Sequence, residues 1–247
     1  MLRIVAHGLW VIFLTLLTQI GGLAWLIALP LKYRAGVFVT AYIAMTLMTL
    51  WVAPLFGRVP LNCFEKGPLQ VQSVMYCALN RNYVAPDLKA VLEDAAGALD
   101  AQYPGTTTLV LDANFPFFDG FPLLPHLSHD DGDKVDTAFY YQKDGTYLPG
   151  KTRSPFGYFA FEPGPTNCPK NWLTLRWDLE LLQPLWRDYA VDGLRLSAML
   201  KILASDPRVG KVLIEPHIKY ALRLNHPKLR FQGCRAARHD DHIHVQL

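Results

Sequence analysis

His239-Asp240-Asp241-His242-Ile243-His244 is the stretch on which the reading of both fold and function turns. If a β-strand begins near His242, successive side chains point to opposite faces. His242 and His244 then share one face, and Ile243 enters the layer on the other side. Two imidazoles on one face of a rigid strand suit a metal site, although a lone His-x-His is more often an ordinary polar pattern. A second cluster upstream, Ser128-His129 followed after six residues by Asp136, supplies the further ligands such a site needs.

The 247 residues include 24 Lys+Arg against 21 Asp+Glu, a formal charge of +3, with 18% charged and 51% hydrophobic residues. That near-neutral balance lacks the positive excess on which nucleic-acid binding relies. The apolar residues concentrate in the first quarter. Residues 9–31 form an apolar run interrupted by threonines, Gln19 and Gly21-Gly22, and residues 35–56 form a second run with no charge. A hydrocarbon core of about 30 Å takes roughly 20 helical residues to cross. The two runs therefore predict a transmembrane helical hairpin within residues 1–58, with the lipid bilayer as partner. A cleaved signal peptide fits less well, because its apolar stretch is usually about 7–15 residues and a second run follows at once here. Neither run has the polar face of a core helix at a protein surface. Lys32-Tyr33-Arg34 joins the runs, against Arg3 and Arg58 on the distal flanks, and positive short loops stay cytoplasmic. The expectation is a two-pass protein of the cytoplasmic (inner) membrane, with its remaining domain on the periplasmic or extracellular side.

Cys63, Cys77, Cys168 and Cys234 all follow the apolar runs. In an oxidising exterior they read as up to two disulfides, with three connectivities open. Residues 59–84 look like a linker, and 85–247 are enough for one globular domain with its own core. Pro86-Asp87 opens a helix whose Leu88, Val91, Leu92, Ala95 and Leu99 follow the spacing of a buried stripe. Strands are predicted over 106–115, 135–141, 211–215 and 242–247, and further helices over 175–189, 192–204 and 216–224, the last with Pro216 in the favoured first turn. A proline-bearing loop over 115–127 delivers His126 and His129, and 149–169 forms a long loop of the kind that often walls a site. Strands and helices do not alternate, so the predicted class is α+β, a small antiparallel sheet with flanking helices. The loop aromatics, Phe117, Phe118 and Tyr158 among them, read first as packing and second as a cleft wall.

A catalytic zinc takes three protein ligands and keeps one position open. His129, Asp136 and His244 supply two nitrogens and one oxygen. A group that moves protons must sit beside them, and Asp241 and His242 are nearest in sequence; strand alternation favours His242. His239 is placed to bind substrate or to orient the site from the preceding loop. His126 reads first as a plain loop histidine and second as a fourth neighbour of the metal, and Asp130-Asp131-Gly132-Asp133 lacks the frame of a calcium loop.

Ser128-His129-Asp130-Asp131-Gly132-Asp133-Lys134-Val135-Asp136 resembles the Ser-His-x6-Asp motif of the metallopeptidase group of lysostaphin, D-Ala-D-Ala peptidase and hedgehog folds. The C-terminal His239-Asp240-Asp241-His242-Ile243-His244 is similar to the closing motif of penicillin-insensitive murein endopeptidases. The resemblance covers roughly residues 105–247 and rests on its two ends. It implies Zn2+ on His129, Asp136 and His244, active-site roles for His239 and His242, and, by likeness to the D-Ala-D-Ala peptidases, a base at Asp241. It further implies a fold of that group and hydrolysis of amide bonds in peptidoglycan peptide stems or cross-links. The chain departs from the endopeptidase pattern in its N-terminal apolar runs, in an inter-motif segment rich in aromatics and prolines, and in the extra carboxylates Asp130, Asp131 and Asp133.

The contrasting expectation is a membrane-tethered zinc-binding scaffold, or wall-binding protein, without catalysis. Such a protein would usually lack part of the set Asp241, His242 and His239, and all three are present. A toxin acting on a neighbouring cell's wall is a third reading.

Overall fold

The computed structural model describes residues 1–170 and 173–247. Three helices come first: α1 (Leu2–Thr18), α2 (Gly21–Ala28) and α3 (Arg34–Val52), the last continued by a 3-10 turn, Ala53–Phe56. The run 9–31, expected to be one span, is broken. Gln19 adopts φ 66°, and the chain folds back so that Gly22 packs on Val11 and Thr15 while the Trp25 ring lies 5.9 Å from His7. Two adjacent glycines permit this close approach, because any Cβ on Gly22 would lie 2.0 Å from the Thr15 hydroxyl. At about 1.5 Å per residue, the eight-residue α2 is too short to cross a bilayer. Among the described residues, one helix, Arg34–Phe56, is long and apolar enough to do so.

The segment 59–84, read as a linker, is folded into the domain. It carries β1 (Val59–Pro60), β2 (Leu69–Val71), α4 (Val74–Ala78) and β3 (Tyr83–Val84), and Leu61, Val71, Tyr76 and Val84 join the core. Then follow α5 (Pro86–Gln102), β4 (Thr108–Val110), β5 (Lys134–Ala138), β6 (Tyr141–Lys143), β7 (Thr146–Tyr147), β8 (Ala190–Val191) and α6 (Gly193–Ser205). The chain closes with β9 (Lys211–Leu213), α7 (Pro216–Ala221), β10 (Leu229–Arg230) and β11 (His242–Gln246).

Among the described residues the main sheet has six strands in the order β10-β9-β11-β5-β4-β2. Its centre is antiparallel, but both edge pairings, β10 with β9 and β2 with β4, are parallel, so the sheet is mixed and not purely antiparallel. β6, β7 and β8 form a separate antiparallel ribbon. Ile243 and Val245 of β11 and Val135 of β5 are fully buried, in one apolar cluster with Leu88, Val91 and Leu99 of α5 and Leu196, Leu200 and Leu203 of α6. Asp192 caps α6, accepting from the Arg195 amide.

The helix expected over 175–189 is absent; Gln183–Leu185 forms a single 3-10 turn. Pro184 interrupts the run, Leu179 takes φ 45°, and Leu175, Leu181 and Leu185 are exposed. Without a buried stripe, a helix of that length has little to stabilise it. Residues 148–170 and 173–182 run instead as an irregular strap across the start of β11. The strap is held by the Cys168–Cys234 disulfide and by the buried Arg176–Glu215 pair. Cys63–Cys77 makes the second disulfide.

Candidate metal centre

β5 and β11 are paired so that His244 lies directly across from Asp136, and Ile243 across from Thr137. Side chains of opposed residues in an antiparallel pair are near neighbours, so the register alone brings Asp136 and His244 together, with His244 Nδ1 2.9 Å from Asp136 Oδ1. His129 reaches them from the turn before β5. Its Nε2 lies 3.3 Å from Asp136 Oδ1 and 3.1 Å from His244 Nδ1. The three ligand atoms fall within 4.8 Å of one another, and all three residues are buried. Gly132, at φ 89° between His129 and Asp136, makes the turn possible; a Cβ there would strike the Arg58 guanidinium at 2.6 Å.

The surroundings fit a cation. His129 Nδ1 donates to the Ala113 carbonyl at 2.8 Å, leaving Nε2 as a lone pair aimed at the trio. The Tyr158 hydroxyl donates to Asp136 Oδ2 at 2.8 Å and accepts from the Asp112 amide at 3.0 Å. Outer partners of this kind orient metal ligands and fix their tautomers. Burial alone would raise the Asp136 carboxyl, but His129 and His242 beside it hold it well below the usual carboxylate range. Burial opposes charge on His129, yet the Asp136 carboxylate outweighs it and raises that imidazole. His244, where burial prevails, is lowered to about 4. The buried trio thus attracts positive charge. Two nitrogens and a carboxylate oxygen converging in this way could bind a metal ion.

The remaining expected residues gather at the same place. His242 Nε2 lies 3.7 Å from Asp136 Oδ2, on the same strand face as His244. Asp241 faces away from the trio: Oδ1 accepts from His242 Nδ1 at 2.5 Å and Oδ2 from the Phe159 amide of the strap. Burial works against charge on His242, but Asp136 and Asp241 together push it up to about 9. The His239 ring is 4.9 Å from that of His242, and burial first, then the neighbouring imidazoles, hold its pKa well below the ordinary value. Among the described residues its Nδ1 finds no hydrogen-bond partner.

Four further residues belong to the site. His126, read as a plain loop histidine, lies with Nδ1 2.8 Å from Asp112 Oδ2, and Arg81 clamps that carboxylate through two bonds of 2.5 and 2.7 Å. Tyr158 is the fourth. Neither Asp112 nor Arg81 stands near a histidine in sequence, so no spacing signal marked them. A cavity of about 200 Å³ beside the trio is lined by His126, Ser128, Leu175, Ala236 and His239. On the other side of His242 a smaller one is walled by Phe159, Phe161, Trp177 and Arg238. His217, His226 and His7 lie outside this constellation. Lys134 pairs with Asp130 and Asp131, which accounts for two of the loop's acids.

No protein-family model matches the chain, and no curated protein matches it significantly.

Proposed function

We propose that the protein is a membrane-anchored zinc metallopeptidase that hydrolyses amide bonds in the peptide stems or cross-links of peptidoglycan. One observation carries the reading: two imidazole nitrogens and a carboxylate oxygen, drawn from three segments, converge beside an Asp241–His242 pair at the floor of a cleft. The buried set of two nitrogens and one oxygen matches zinc better than the all-oxygen surroundings that calcium or magnesium take. The two sequence motifs point to the same class. His129, Asp136 and His244 would hold the zinc; when bound, it polarises a scissile carbonyl and makes water acidic enough to attack at neutral pH.

The chain's own groups complete the chemistry. Asp241 orients the His242 ring and holds its charge, while the Phe159 amide holds Asp241. His242, charged and with Nε2 facing the ligand carboxylate, would act as the general acid, giving its Nε2 proton to the leaving amine and regaining one from solvent, to which the attacking water releases its own. His239 stays neutral and offers its unpartnered Nδ1 to substrate. The apolar N-terminal helices anchor the chain, and two disulfides fit an oxidising compartment outside the cytoplasmic membrane.

The test uses the full chain in detergent, as wild type, His244→Ala and His242→Ala, assayed for bound metal by mass spectrometry and incubated with purified peptidoglycan. Near-stoichiometric zinc with new stem fragments in the wild type, both lost in His244→Ala, is the expected result. Zinc without fragments would favour the non-catalytic scaffold, and a wild type without metal would overturn the proposal.

A further inference from the structure

The loop that delivers His126 and His129 is built against the apolar N-terminal helices. The Gln19 side chain, at the break between α1 and α2, makes a two-bond bridge to the Phe117 backbone, donating to its carbonyl at 2.6 Å and accepting from its amide at 2.9 Å. The Phe56 ring lies 5.0 Å from that of Phe117 and 5.5 Å from that of Phe118. Arg58 pairs with Asp119 on the same loop. Farther along α3, Thr49 meets the Tyr83 hydroxyl at 2.5 Å and Tyr42 donates to the Ala78 carbonyl at 2.6 Å. Residues 42 to 56 therefore run about 21 Å along the domain at 1.5 Å per residue, so the helices lie beside the loop and do not project away from it.

The loop turns large apolar side chains outward. Phe118 is 60% exposed, Leu127 50% and Leu124 47%, next to Trp51 at 71% and Leu55 at 82% on the helical side. Phe118 also holds φ 55°, a conformation that is costly for a bulky residue. The Phe56 and Phe117 rings cover part of Phe118, but in water the larger, exposed part gains nothing to offset that cost. In lipid it does, through burial of its ring. Leu127 lines the cavity beside the metal ligands, so the outward face of this loop is also the lip of the cleft.

We infer that the exposed apolar side chains of this loop, Phe118, Leu124 and Leu127, dip into the bilayer interface beside the N-terminal helices while Asp119, paired with Arg58, stays at the headgroup level, so that the cleft opens at the membrane surface and receives substrate held there. The inference rests on the anchoring role proposed above for those helices. With four cysteines in disulfides, an introduced cysteine is the free thiol of the chain. The full protein would be reconstituted in phosphatidylcholine–phosphatidylglycerol nanodiscs with brominated acyl chains and labelled with an environment-sensitive fluorophore at Phe118→Cys, Leu127→Cys, Met48→Cys or Glu93→Cys. Met48 on α3 reports anchoring, and the exposed Glu93 on α5 reports a site away from lipid. Loss of most emission at positions 48, 118 and 127, with none at 93, is the expected result. Quenching at 48 with none at 118 and 127 would overturn the inference and leave the anchor standing. Absence of quenching at 48 as well would overturn both. Quenching at 93 equal to that at 118 would overturn the inference, since the loop would then be no closer to lipid than the rest of the domain. Circular dichroism and intact disulfides in each variant separate these outcomes from misfolding.

Discussion

At the residue scale, the division of labour within one strand face is the central point. His244 and His242 sit two residues apart on β11, yet one faces the ligand trio with its Nδ1 and the other is turned by Asp241. His242→Gln should therefore retain metal and lose nearly all turnover, which parallel metal analysis and peptidoglycan digestion would show. Tyr158→Phe removes the donor to Asp136 Oδ2 and should weaken metal affinity about 10- to 100-fold, read by competition with a chromogenic chelator. Affinity should also fall with acid. Ligand imidazoles must be unprotonated to bind a metal, and against the opposing effect of burial the Asp136 carboxylate raises His129. Protons therefore compete from above the ordinary histidine pKa, and binding weakens as pH drops through neutrality. A pH-independent affinity over that range would contradict the ligand assignment.

At the scale of elements, the strap over 148–170 and 173–182 does what the expected helix would not. Its Phe159 amide holds Asp241, its Tyr158 holds Asp136, and Glu162 donates its amide to the Asp240 carbonyl at 2.9 Å. The Cys168–Cys234 disulfide closes a separation of 66 residues; in the loop-entropy account such a link contributes about 4 kcal/mol. Replacing both cysteines by serine should lower the urea midpoint and reduce turnover, while zinc stays bound because its ligands lie on β5, β11 and the preceding turn. Loss of zinc in that variant would show that the strap supports the ligands themselves. Gly157, at φ 80° and with no room for a Cβ against Leu111, is the hinge that seats Tyr158.

At the scale of the whole molecule, the candidate ligands join distant parts of the chain: β5, β11 and the turn before β5, which Asn114 ties to β3. Ligand binding that excludes the unfolded state adds RT ln(1 + [L]/Kd), about 4 kcal/mol at a thousandfold excess over Kd. Calorimetry should accordingly show a melting transition several degrees higher with zinc than after chelation, and His244→Ala should show no such difference. The N-terminal helices belong to the same unit, since Gln19, Thr49 and Arg58 each bond to the domain.

Local pattern was enough to mark the buried stripe of α5, the strand alternation of His242, Ile243 and His244, and the apolar character of the first 56 residues. Each depends on a period or a composition carried by neighbours in sequence. The spacing of His129 and Asp136 marked two candidate ligands, because β5 begins where the turn carrying His129 ends. Other features came only with the folded chain. Gln19 breaks an apolar run because a backbone 98 residues away satisfies its amide. Residues 175–189 stay irregular because the core leaves no face for them to bury. His126, Asp112, Arg81 and Tyr158 meet at the metal centre through contacts between segments far apart in sequence, and no local period encodes which buried polar group will satisfy another.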